Sequence, residues 1–259
     1  MISVPAPRIS PVPASKWDAE ILDALNAFPA GLNFVRRSRQ AGEEQPRGVN
    51  VLGLLACHPR LASAFLAFNA HAARSDSLRP RVRELVILRI SWLMHSEYEF
   101  VQHRILGQRA GLTDEELEWI QTGASAGRWS PSDAAVLTAV DELHCDARIG
   151  DATWRKLQRE FDERQLLDFL FVAGCYATLA MVLNSIGLPL EPGAPPLNAE
   201  TRARLRARNN SGTETMARKR KSKPAKLSRG FKELSSDERK RFRLHLDMRY
   251  FDRARQRAK

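Results

Sequence analysis

The chain reads as an all-α protein, and three observations carry that reading. Apolar residues recur at steps of three and four through most of its length, almost no run alternates with a period of two, and helix-starting and helix-ending residues punctuate the periodic stretches. The composition falls into two parts. Residues 1–198 carry 20 Lys and Arg against 23 Asp and Glu, whereas residues 199–259 carry 21 against 7, so the overall excess of +11 belongs to the C-terminal segment. A body of this length suits one globular domain with its own core. We therefore expect an N-terminal arm and first helix over 1–49, a helical domain over 50–198 and a basic tail over 199–259.

Taken in order, Ser15 precedes an amphipathic stretch through Trp17, Ile21, Leu22, Leu25 and Phe28, and Pro29-Ala30-Gly31 is expected to end it. The polar run from Arg36 to Arg47 reads as a loop. Val51 to Ala56 gives a short helix, and Pro59 opens a longer one with Leu61, Phe65, Phe68 and Ala72 on one face. Pro80 opens the next, through Val82, Leu85, Val86, Arg89 and Ile90. Gly111 suits a helix end, Thr113-Asp-Glu-Glu116 has the form of a capping box, and Ser130-Pro131 pairs an N-cap residue with proline at the first helical position. The period continues through Ala135, Leu137, Val140 and Leu143, and later through Trp154, Leu157 and Phe161. A long apolar helix from about Glu163 ends near Gly187-Leu-Pro189. It is nearly long enough to span a membrane, but Asn184, Ser185, Gly187 and Pro189 shorten the apolar part to that of a helix buried in a core or subunit contact.

Cys57, Cys145 and Cys175 are odd in number, widely spaced and without metal-ligand spacing, which argues against a disulfide framework and a zinc site. Each reads as a small packing residue in a helix. The N-terminus lacks a signal-peptide core, so a cytoplasmic location is expected, and no phosphate-binding glycine loop suggests an organic cofactor.

The segment richest in chemistry runs from Arg83-Glu84 to His103. Ser96, Glu99 and His103 lie at i, i+3 and i+7 and share one helical face. Glu84 precedes Ser96 by twelve residues, so it meets them only if the chain breaks near His95 and two helices pack together. Glu99, four residues before His103, is placed to orient the imidazole. A second reading stays open, because Ser96-Glu-Tyr-Glu99 also has the form of a capping box that would engage both side chains with backbone amides. Candidate catalytic residues are thus Glu84, His103, Glu99 and Ser96. Arg81, Arg83 and Arg89 are candidates for holding a carboxylate, with Arg83, Arg89 and Tyr98 the chosen substrate-binding set. His58, His71, His95 and His144 are further pocket candidates.

Several motifs in order, Arg83-Glu-Leu-Val-Ile-Leu-Arg, Ser96-Glu-Tyr-Glu-Phe-Val-Gln-His, Arg109-Ala-Gly-Leu-Thr-Asp-Glu-Glu, Asp141-Glu-Leu-His and Asp168-Phe-Leu-Phe-Val, resemble the carboxymuconolactone decarboxylase and alkylhydroperoxidase D superfamily. The resemblance implies a helical bundle that assembles as homotrimers or hexamers with sites near subunit contacts. It carries the family's Glu to Glu84 and its His to His103. The family's two cysteines fall on Ser96 and Glu99, neither of which can perform thiol redox chemistry. Acid–base chemistry on a small organic acid such as a carboxylated lactone is the expected function, with thiol peroxidase activity disfavoured. A noncatalytic scaffold is the alternative from another class. In that reading the basic run from Met216 binds nucleic acid or an acidic partner, and Ser235-Ser-Asp-Glu238 starts a terminal helix through Phe242, Leu246 and Tyr250.

Overall fold

In the computed structural model, which describes residues 6–74 and 76–205, Arg8 and Val12 of the N-terminal arm hydrogen-bond back to the body through the carbonyls of Ile186 and Gly53. The sequence-based expectations for the basic run and the terminal helix after Ser235 lie outside the described residues. Between Ala19 and Ile186 ten α-helices follow in order, with no strand among the described residues: α1 Ala19–Leu25, α2 Pro29–Gln40, α3 Val49–Ala56, α4 Pro59–Arg74, α5 Pro80–Leu93, α6 Glu97–Arg109, α7 Asp114–Trp119, α8 Pro131–Asp146, α9 Asp151–Leu157 and α10 Glu163–Ile186. The all-α expectation is met.

Most starts follow the local chemistry read from the sequence. Proline opens α4, α5 and α8, Ser130 caps α8, and Thr113 with Glu116 forms a reciprocal capping box at α7. Two expectations are overturned near the N-terminus. The cap of α1 is Asp18, whose carboxylate accepts from the Ile21 amide, rather than Ser15. Pro29 begins a helix instead of ending one, and the start of the polar run expected to be a loop, residues 36–40, belongs to α2, because Leu32 and Val35 bury one narrow stripe in the core shared with α1, α3 and α4 while its arginines stay in water; residues 41–47 form the expected loop.

The organising element is α5. Eleven of its residues are buried, from Val82 to Leu93, because α6, α8 and α10 pack around it. Leu85, Val86, Ile87 and Leu88 join Phe100, Leu137, Val140 and Phe169 in the main core. A second core, built from Leu25, Leu32, Leu52 and Leu66, holds α1 to α4 together, and α4 connects the two by also packing on α10. The beginning of the basic segment belongs to this body, with Thr201 and Leu205 buried and Arg202 paired to Glu97 at 2.9 Å.

Full burial of α5 explains the fate of Arg89. Its guanidinium lies 2.6 Å and 3.0 Å from the two carboxylate oxygens of Asp141 on α8, and Nη1 also donates to the carbonyls of Ile120 and Gln121. Gly123 makes room for it: at φ +82° a side chain there is strained, and a Cβ would come within 2.5 Å of Arg89 Nη2. Arg89 is a packing cation, and it is not brought to the site proposed for it from the sequence. Arg81 is likewise occupied, by Glu116 and Asp133.

α10 is buried along one side only within the single chain. By length and composition it is apolar enough to cross a membrane, yet one side packs into the body while Leu167, Phe171 and Met181 stand more than half exposed on the other. Phe171 meets the exposed Phe68 of α4 edge-to-face at 6.0 Å, so the two helices share one apolar surface. Cys57 and Cys145 are exposed, contrary to the packing role read from sequence, whereas Cys175 is buried as expected. Replacing Arg89 by Ala leaves Asp141 and two carbonyls without their cation and should lower unfolding free energy by about 3 kcal/mol in a urea titration; an unchanged midpoint would contradict this role.

Candidate active site

The turn between α5 and α6 builds the site. His95 adopts φ 58°, the left-handed conformation that reverses the chain, and the Ser96 amide closes the turn on the Ser91 carbonyl at 2.8 Å. α6 therefore runs back along α5, as the break expected near His95 requires. Glu84, on the first turns of α5, comes to face His103, and its Oε2 lies 2.8 Å from Nδ1 of the imidazole. Both groups are buried. An ionised Glu84 accepts from Nδ1–H, which fixes the tautomer and leaves Nε2 as the nitrogen that can meet a bound molecule. The phenol ring of Tyr176 stands edge-on to the imidazole at 4.9 Å and limits its rotation. The expectation that Glu99 orients His103 is thus corrected, since Glu84 does so.

Glu99 has a different character. It is 2% exposed, its carboxyl makes no hydrogen bond of normal geometry, and burial pushes its pKa up to about 8, with the nearby Ser96 hydroxyl opposing the rise only in part. The capping-box reading fails here, because Ser96 makes no side-chain cap to α6 and both groups are buried. Glu99 is therefore mainly a neutral acid at pH 7.

A cavity of about 750 Å³ opens beside these groups. Of the sequence-derived candidates, Glu84, His103, Glu99, Arg83 and Tyr98 line it; Ser96 and Arg89 do not. Nor do His58, His71, His95 or His144, and His71 is instead paired with Asp168 at 2.7 Å. Arg83 sits with Nε 3.9 Å from Glu84.

Four contributors escaped the sequence reading. Arg47, before α3, lines the cavity and reaches the Gln102 carbonyl at 3.4 Å, and burial together with the neighbouring Arg109 cation holds its pKa below the usual arginine value. Arg109 lines the cavity from the end of α6. Tyr176 comes from α10. Glu191, after α10, is buried and accepts from the amides of Gly48 and Asn50, from the Tyr98 hydroxyl at 2.7 Å and from Gln102 Nε2 at 2.7 Å. It ties the loop carrying Arg47 to α6, and commits the Tyr98 hydroxyl to structure. Arg47, Tyr176 and Glu191 lie too far from the motif in sequence for a local pattern to reveal them, whereas Arg109 ends the same helix that carries His103, six residues further on, and was open to sequence reasoning.

No cysteine lines the cavity among the described residues. Cys175 lies close behind it, where burial raises its thiol pKa to about 11 despite a contact from Asn69 Nδ2 at 3.6 Å, so it is protonated at neutral pH.

Residues 59–142 match the model of the carboxymuconolactone decarboxylase family. This segment is similar to the carboxymuconolactone decarboxylase family, and the fold of the body is AhpD-like. That segment spans α4, α5, α6 and α7 and most of α8, so it contains both partners of the Glu84–His103 pair. Several solved structures share the fold. An uncharacterized peroxidase-related protein with an alkylhydroperoxidase AhpD core from Ralstonia eutropha JMP134 is 19% identical, with a TM-score of 0.56, covering 79% of this chain and 98% of its own. An uncharacterized peroxidase-related protein from Silicibacter sp. TM1040 is 16% identical, with a TM-score of 0.58, covering 79% and 100%. The debrominase Bmp8 is 12% identical, with a TM-score of 0.56, covering 76% and 96%. None of the curated proteins matches the chain.

The raised pKa of Glu99 has a measurable cost. Below about pH 4.5 the carboxyl is protonated in both the folded and unfolded chain; between there and about pH 8 only the folded chain keeps the proton, so stability falls as pH rises through that window and levels off above it. Glu99→Gln should remove this slope. Its thermal midpoint should gain on the native protein from pH 5 to pH 9, and parallel curves would show that Glu99 ionises normally.

Proposed function

We propose that this protein is an acid–base enzyme acting on a carboxylated lactone or a related organic acid. The observation that carries the reading is the buried Glu84–His103 contact at 2.8 Å on the wall of a cavity that also holds arginines. Such a pair suits proton transfer through Nε2, with Glu84 orienting the ring and balancing its charge when both nitrogens carry protons. In a decarboxylation, the bond to the carboxylate carbon breaks, carbon dioxide leaves and the electron pair passes into a conjugated carbonyl. Neutral Glu99 is suited to donate a hydrogen bond to the oxygen that becomes negative. His103 then delivers a proton to carbon and regains one from water. Thiol peroxidase chemistry lacks support, since Ser96 and Glu99 occupy the motif's cysteine positions and Cys175 is a protonated, buried thiol.

The apolar surface shared by α4 and α10 supports assembly with further copies of the chain, because patches of this kind on a folded body mark interaction sites.

Glu84→Gln and His103→Ala should each reduce turnover of carboxylated lactones by about 100-fold or more, followed as carbon dioxide release, with helicity and assembly intact. Turnover should also decline above about pH 8 as Glu99 loses its proton, and Glu99→Gln should abolish that decline. Undiminished turnover in the first two variants rejects the proposal. Phe171→Glu should dissociate the assembly in sedimentation velocity, and an unchanged sedimentation coefficient would place the subunit contact elsewhere.

A further inference from the structure

The cavity has two unlike walls. Helices α5 and α6 contribute Arg83, Glu84, Glu99, Gln102 and His103, whereas the side from α2, α3, α4 and α10 is mainly apolar, with Asn33, Arg37, Asn69, Arg74 and Tyr176 as its polar members. Phe28, Phe34, Val51, Leu55, Phe65 and Leu179 face the cavity and are left half-buried, although the body has a well-filled core elsewhere. Apolar area left uncovered at this density contributes nothing until an apolar group covers it, at roughly 25 cal/mol per Å². The volume of about 750 Å³ lies in the upper part of the range of about 300 to 1,000 Å³ that accommodates drug-sized ligands. A small, strongly polar lactone acid would leave most of that wall facing water.

Arg47 stands where the two walls meet. Its guanidinium lies 5.4 Å over the ring of Phe34 on the apolar side and donates to the Gln102 carbonyl on the polar side. Among the described residues no carboxylate comes within 4.0 Å of Arg47 or Arg109, so two neighbouring cations lack an ion-pair partner of their own. A bound carboxylate supplies the missing charge, and Glu191 holds the Arg47 loop in place to receive it.

We infer that the cavity selects amphiphilic monocarboxylates, with the acid group at Arg47 and Arg109 and an alkyl or aromatic body against the α2, α3 and α4 wall. This specificity deepens the acid–base reading and rests on it for turnover, but binding itself needs neither Glu84 nor His103. Phe34 and Leu55 then set the size of the apolar body, and Arg47 sets the requirement for an acid.

The test is calorimetric titration of the full chain with hexanoate, octanoate, decanoate and 4-phenylbutyrate, with succinate as a small diacid and decanamide as a neutral control. The expected result is one site per chain, affinity rising from hexanoate to decanoate, succinate at least tenfold weaker than decanoate, and a tenfold or greater loss of decanoate binding in Arg47→Gln while decanamide binding is unaltered. Succinate equal to decanoate, indifference to Arg47→Gln, or no binding of any acid would each overturn the inference. Lactone turnover that depends on His103 together with absent decanoate binding sinks only the specificity; decanoate binding with turnover indifferent to His103 sinks only the acid–base reading.

Discussion

The site depends on one reversal of the chain. At His95 the backbone enters the left-handed region, and this lets α6 return along a helix that is buried on nearly every side. Had the helix continued straight, Glu84 and His103, nineteen residues apart, would stand about 28 Å apart along one axis at roughly 1.5 Å per residue. Folded back, they touch. The packing of α8 and α10 on α5 then keeps Glu84 from finding water, and this makes the imidazole its necessary partner.

Burial has opposite consequences for the two motif glutamates. Glu84 gains a ring nitrogen at hydrogen-bond distance, whereas Glu99, fifteen residues later, gains only a neighbouring hydroxyl and answers by holding its proton. A buried neutral carboxyl beside an imidazole oriented by a second carboxylate is the arrangement on which the proposed acid–base chemistry rests. The arginines add a separate ingredient. Arg89 and Arg81 spend their charge on internal carboxylates, and Arg47 and Arg109 keep theirs at the cavity.

Local chemistry made most of the fold legible. Proline at helix starts, the Thr113 capping box and the steps of three and four all express rules that act over one or two turns, and the structure obeys them. α2 was missed because its buried stripe holds only Leu32 and Val35 amid polar residues. Ser96 misled in the other direction: its sequence context satisfies a capping rule, yet dense packing removed both side chains from that duty. Arg89 could not be distinguished from a free cation, because Asp141 lies 52 residues away. Glu84 and His103 were legible from spacing and resemblance together; Arg47, Tyr176 and Glu191 reach the site only through tertiary packing, which no local pattern encodes.

The central claim is that Glu84 holds the His103 ring in one tautomer, and nitrogen-15 spectra of protein labelled at imidazole nitrogens address it directly. A protonated Nδ1 on His103 with a hydrogen-bonded, low-field proton resonance is the predicted result, lost in Glu84→Ala and retained in Glu99→Gln. A His103 ring protonated only at Nε2, or one whose spectrum ignores the loss of Glu84, would contradict the account.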